Sequence, residues 1–196
     1  MDRVKTISAD VLLRSELLSA EEAHLLSLQL EKRPLLTASE IISLDLPAKN
    51  RVEALLQNEF LGEKRLRALA CDFAEHTLYI FEEHAGGDRH PHQCVEAARR
   101  YLEGASMEGL HTTINEAIPV VWRLEKTAFV SAFTAGVAAT FLGNHDAAVM
   151  VRHVANHTQR ATHYKEWESR ESDLELMFGR EMEATWQLTR IAEMLG

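Results

Sequence analysis

The chain predicts an all-α protein of about eight or nine helices, folded over residues 1–196 as a single multi-helix bundle or an irregular α-superhelical domain. Three observations carry that prediction. Apolar residues recur at the helical period along most of the sequence. Capping signals and glycine or proline stops punctuate it at helix-length intervals. Only four prolines and nine glycines occur in 196 residues, so long helices are permitted. Strand signals are poor, with no Asn-Gly or Asp-Gly turn and few alternating β-branched runs. Residues 1–45 are short elements that could form a small N-terminal helical lobe, although no shift in composition marks a boundary.

Taken in order, Ser8 is expected to open a short helix through Leu18. Ser19 with Glu22 makes a capping box for a helix ending near Lys32, ahead of Pro34. Thr37 with Glu40 makes a second box, and Pro47 suits the first turn of a helix through Gln57. The longest clear helix runs from Gly62 to Ala85 and is stopped by Gly86-Gly87. Pro91 opens the next, which Gly104 ends after Glu103. These two helices should pair as an antiparallel hairpin, because only about five residues join them. A long apolar-rich stretch runs from Met107 to Leu142, kinked or split by Pro119. Gly143 suits a helix end, and Asn144 suits the cap of a helix reaching Glu168. Ser172 would cap the last helix, which reaches Leu195.

Winding residues 65–84 at 100° per residue puts Leu66, Leu69, Ala70, Phe73, Thr77, Ile80 and Phe81 on one face. Cys71, Ala74 and Leu78 widen the apolar arc, which marks this helix as central. Arg65, Asp72, His76 and Glu83 form a narrow polar ridge beside it. Such a ridge reads as an ion-pair ladder at the edge of the core, with ligand or metal binding as the other use of the same residues. His84 sits one turn from the helix end, where histidine caps the last carbonyls. Asp88 and His90 are candidate caps for the Pro91 helix. On that helix Val95, Ala98 and Leu102 face inward with Arg99 at the edge. Arg99 should therefore be largely buried and paired with Asp72, Glu75 or Asp88, its loss costing roughly 3–5 kcal/mol.

Ten histidines are a large share for this length. His153 and His157, spaced i, i+4, present both rings on one side of a helix and could clamp a metal. Arg160 and Tyr164 share that flank, beside a stripe of Ala147, Met150, Val151, Val154 and Ala161. The arginine opposes a cation. Glu21/His24 and Glu108/His111 repeat the Glu-x-x-His spacing of di-iron bundles, at a frequency that chance explains. Nucleophile elbows, phosphate loops, dinucleotide fingerprints and His-Glu-x-x-His motifs are absent from the sequence. Cys71 and Cys94 are too few for a disulfide framework and read as buried thiols.

The net charge of −9 opposes nucleic-acid and anionic-membrane partners. The acid is uneven: residues 166–196 carry eight acidic side chains and three arginines, a net −5. That end is either a solvated face or a docking surface for a basic partner. No signal-like or membrane-spanning run occurs, so the chain reads as cytoplasmic.

The segment Arg65-Leu66-Arg67-Ala68-Leu69-Ala70-Cys71-Asp72-Phe73-Ala74-Glu75-His76, followed by Asp88-Arg89-His90-Pro91 and Val95-Glu96-Ala97-Ala98-Arg99, resembles a bacterial family of immunity proteins associated with polymorphic-toxin loci. The likeness is strongest over residues 64–104 and looser after residue 130. The chain departs from the family pattern at His90-Pro91, where the family has Arg-Pro, and in its less alanine-rich later helices. The resemblance implies an all-α cytoplasmic protein that binds and neutralises a cognate toxin, with no catalysis of its own, and no cofactor is expected. The alternative is a small-molecule-binding or metal-dependent helical enzyme built on the histidine-rich flanks, His153 and His157 foremost.

Overall fold

The structure is a computed structural model that describes residues 5–10, 23–24, 27–28, 30, 34–84, 87–121, 126–140, 146–169 and 173–196. Nine helices follow one another among the described residues: α1 Ala38–Ile42, α2 Ala48–Leu55, α3 Glu63–His76, α4 Leu78–Glu82, α5 His90–Leu102, α6 Met107–Val121, α7 Lys126–Thr140, α8 Ala147–Ser169 and α9 Asp173–Leu195. The protein is all-α, and none of these helices is long and apolar enough to cross a membrane.

The expected helix at Ser8 is replaced there by a strand. β1, Thr6–Ser8, pairs antiparallel with β2, Leu35–Thr37, matching Thr6 to Thr37, Ile7 to Leu36 and Ser8 to Leu35. Ile7 and Leu36 point into the core from the middle of each strand. Three-residue strands are too short to show an alternation, which is why the sequence conceals them. Asp10 is helical, but residues 11–18 of that expected helix and the Ser19–Glu22 box of the next lie outside the described residues; in that next helix the described residues 23–24, 27–28 and 30 are helical. The second box is present: Thr37 accepts from the backbone of Glu40, whose carboxylate accepts from the backbone of Thr37.

Pro47 is the cap of α2 rather than a first-turn residue, and α2 stops at Leu55, short of Gln57. Proline has no side-chain acceptor to offer. Glu181 of α9 supplies one instead, accepting from the Ala48 N–H at 2.6 Å. A carboxylate at a helix N-terminus satisfies an open N–H and opposes the dipole.

The expected helix from Gly62 to Ala85 is two helices, broken at Thr77. The Thr77 carbonyl accepts from the Ile80 N–H at 3.1 Å and from the Ser131 hydroxyl of α7 at 2.5 Å. A side chain inserted at a carbonyl is a recognised cause of a helix break. The apolar face survives the break, since Phe73, Thr77, Ile80 and Phe81 are all buried. His84 Nδ1 meets the Ile80 carbonyl at 2.8 Å, closing this unit as the sequence suggests.

Gly104 ends α5 with φ of +108°, a left-handed conformation that favours glycine. The Gly104 N–H reaches the Tyr101 carbonyl and the Ala105 N–H reaches Arg100, the paired bonds of a Schellman end. Pro119 sits inside α6, Met107–Val121, without splitting it, and residues 122–125 lie outside the described residues. Gly143, Asn144 and Ser172 lie outside the described residues. The α8 N-terminus is capped by Asp146, which accepts from the N–H groups of Ala148 and Val149.

Helix α3 is the centre. It packs on α5, α7, α8 and α9, and one continuous apolar core runs from Ile7 to Ile191 around it. The pairs His92–Glu82 and Arg99–Asp72 show α5 running antiparallel to the α3–α4 unit. Arg65–Met194, Asp72–Arg190 and His76–Glu183 show the same for α9 against α3.

Asn50 is a local conflict in this core. It is 1% exposed, and among the described residues neither its side-chain oxygen nor its nitrogen has a hydrogen-bond partner. Burying an unpaired amide costs free energy that an apolar side chain of similar volume avoids. Asn50→Leu should therefore raise stability by about 1–2 kcal/mol in urea unfolding. A destabilised variant would contradict this account of the site.

Candidate functional site

The polar ridge of α3 makes its contacts across helices rather than along its own length. Asp72 is its hub. Its carboxylate is nearly buried, at 9% exposure. Arg99 Nη2 of α5 donates to Asp72 Oδ1 at 2.8 Å, and also to Glu75 Oε2. Arg190 Nε of α9 donates to the other Asp72 oxygen at 2.8 Å, while its Nη1 donates to Glu193. One carboxylate thus ties three helices. Burial works against the charge on Arg99, but the hydrogen bonds to Asp72 and Glu75 outweigh it and raise the guanidinium pKa.

The expected burial of Arg99 is corrected by the structure: its side chain is 37% exposed. The arginine lies at the rim of the α3–α5 contact, where its length carries the charged end to solvent. Nor does it grip one carboxylate as a fork, since a single nitrogen serves both acids. Removing it leaves Asp72 with Arg190, so a cost of 3–5 kcal/mol is too large.

Arg65 stands apart from this hub. Its Nη1 donates to the Met194 carbonyl near the end of α9. Asp88 is also separate, accepting from the backbone N–H of His90 at 2.8 Å and meeting His90 Nδ1 at 2.7 Å. Partial burial tends to raise the Asp88 carboxyl, but these His90 contacts hold it below the ordinary value.

His76 joins a second polar unit. Its Nδ1 meets Glu183 Oε2 at 2.8 Å, and the Glu183 side chain is 1% exposed. Gln187 Nε2 donates to Glu183 Oε1 at 3.0 Å and to Thr158 Oγ1 at 2.7 Å. Gln159 Nε2 in turn donates to Gln187 Oε1 at 2.9 Å. A connected polar chain therefore runs from the exposed imidazole into the α8–α9 contact. The His76 ring stacks on Trp186, with centroids 3.6 Å apart and planes 3° from parallel. Phe73 meets the same indole edge-on at 6.1 Å.

Arg190, Glu183, Gln187 and Trp186 were not singled out in the sequence. A signal for two of them exists. Glu183 and Gln187 fall on the same arc of α9 as Ala184, Leu188 and Ile191, and polar residues within an apolar arc mark a buried network.

The outer face of α9 holds an open depression of about 390 Å³, lined by Glu181, Met182, Thr185, Trp186 and Thr189. Met182 is 67% exposed.

On α8, His153 is exposed and His157 half-buried, its ring edge-on to Phe133 at 5.7 Å. Burial, with the charges of Arg160 and His153, pulls the His157 pKa below its ordinary value. Among the described residues no group of three His, Cys, Asp or Glu side chains is placed to hold a metal.

No family model, curated protein or solved structure matches the chain.

Both cysteines are free and buried. Burial pushes the Cys71 thiol up to about 12, with Arg99 opposing and Asp72 and Glu75 reinforcing, and burial pushes Cys94 up to about 11. A raised thiol pKa stabilises the folded chain fully below the ordinary value of 9.0, and this is lost as pH climbs towards 11 and 12. At pH 8 neither thiol should react with a disulfide reagent until the chain unfolds. Rapid labelling of the native protein at that pH would contradict this placement.

Proposed function

We propose that the chain is a protein-binding module, an immunity protein that neutralises a toxin encoded beside it in the bacterial cytoplasm. The observation that carries this reading is the role of the residues that bear the family likeness. Asp72, Glu75 and Arg99 hold α3 to α5, and Asp72 also holds α9. Cys71 is buried with a thiol too basic to act as a nucleophile near neutral pH. The motif therefore supports a rigid scaffold, which suits a binding protein whose partner meets its outer faces.

Charge supports the same reading. Residues 166–196 carry net −5, and such a field speeds encounter with a basic partner. Not all of that acid is available. Glu181 caps α2, Glu183 is buried against His76, and Glu193 pairs with Arg190.

The test is to co-purify the chain with the toxin encoded by the adjoining gene. A stable complex that weakens as salt rises, unchanged by His153→Ala and His157→Ala, is the expected result. Failure to bind a secreted toxin encoded next to it would overturn the proposal. Stoichiometric zinc or iron, lost together with an enzymatic activity in either histidine variant, would establish the metal-dependent alternative.

A further inference from the structure

We infer that His157 is an acid-sensitive latch between α7 and α8: taking up a proton there frees Phe133 of α7 from α8 and loosens the bundle as its surroundings turn acidic. This goes beyond the binding-module reading and does not depend on the partner.

The ring sits at the contact of the two helices. His157 is half-buried on α8, and its imidazole meets the Phe133 ring of α7 with centroids 5.7 Å apart and planes at 81°. Phe133 packs against the main core and also against the smaller cluster of Phe81, Val121 and Ala132. A change at Phe133 is therefore felt by α4 and α6 as well as by α8.

The charges around His157 have one sign. Arg160 lies three residues on and His153 four residues back, spacings that place side chains on one helix face. Arg160 turns to Tyr164, donating to its hydroxyl at 3.3 Å and lying 6.0 Å from its ring centre, and pairs with no carboxylate among the described residues. From α7 the imidazole is met by Phe133, which carries no charge. Other histidines are placed the opposite way. His76 faces Glu183, His90 faces Asp88 and His92 faces Glu82, each with a carboxylate to receive a ring N–H. Among the described residues the charged groups acting on His157 are Arg160 and His153, and no carboxylate joins them.

A proton on His157 thus adds positive charge beside like charge, in a contact only partly open to water. The Phe133 ring offers a cation a weak attraction. Burial and the two like charges prevail over it and hold the His157 pKa below the ordinary 6.5. Above that ordinary value His157 is neutral in the folded and the unfolded chain, and the contact contributes its full stability. As pH falls below it the unfolded chain takes up the proton first, so stability is lost progressively down to the folded-state value and levels off beneath it. The folded chain can also accept the proton by letting the imidazole swing out to water, a local opening that costs less than global unfolding.

The test is proton NMR of the full chain between about pH 8 and about pH 5, with hydrogen exchange of the α7 amides corrected for its intrinsic rate. The His157 ring should titrate below its ordinary value, and the amides around Phe133 should lose protection as pH falls. His157→Phe keeps an aromatic ring against Phe133 and takes up no proton. It should hold that protection at low pH and show a smaller acid-induced fall in thermal midpoint than the wild-type chain. Arg160→Gln, at an exposed position, removes a fixed charge and should raise the pH at which His157 titrates. A His157 ring that titrates at or above 6.5 in the folded chain would overturn the inference. So would α7 protection that does not change with pH, or equal acid sensitivity of the wild-type chain and His157→Phe. The wild-type titration and exchange, with Arg160→Gln, decide the matter even where His157→Phe does not fold.

Discussion

The arrangement of this bundle depends on one carboxylate. Asp72 lies near the middle of the central helix, and its two oxygens receive guanidinium groups from α5 and α9. Apolar packing around α3 is extensive, but the hydrophobic effect is non-directional and does not by itself choose a register. A carboxylate with two fixed donors does. It sets Arg99 against the second half of α3 on one side and Arg190 against the same turn on the other. Both neighbouring helices are thereby held antiparallel to α3 at a defined height. Its position at the rim of the core keeps the desolvation penalty modest, while two partners keep the charge from being buried alone.

A second polar unit extends that logic inward. Glu183, Gln187, Thr158 and Gln159 join α9 to α8, with each side-chain amide and carboxylate hydrogen-bonded. Networks of this kind add specificity only when their members are satisfied, and this one is. Its outer end is His76, so the same chain that fixes the α8–α9 contact also fixes Trp186 at the surface.

What the sequence shows and what it hides follow from how far each feature reaches along the chain. The apolar stripe of α3, the Thr37–Glu40 box, the His84 contact and the Gly104 stop involve neighbours within a turn or two, and all are legible. The pairing of Arg99 with Asp72 and Glu75 is also legible, because an arginine at the edge of an apolar arc needs an acid and few lie nearby. The break at Thr77 is hidden because it depends on Ser131 of α7. The cap of α2 is hidden because it comes from Glu181 of α9. Arg190 is hidden as the second donor to Asp72 for the same reason. The exposure of Arg99 reflects side-chain length, which an angular wheel does not record. The stacking of Trp186 on His76 is hidden as well, because the two rings lie on different helices and meet only in the packed bundle.

The central claim is that Asp72 is shared by two arginines, and a double-mutant cycle tests it most directly. Arg99→Ala and Arg190→Ala should each cost about 1–2 kcal/mol in chemical unfolding, small because each arginine is more than a third exposed and leaves Asp72 with its other partner. Together they strand the carboxylate, so the double variant should lose about 1 kcal/mol more than the two separately, and this excess should vanish in an Asp72→Asn background. Strict additivity of the two substitutions with Asp72 in place would contradict the account.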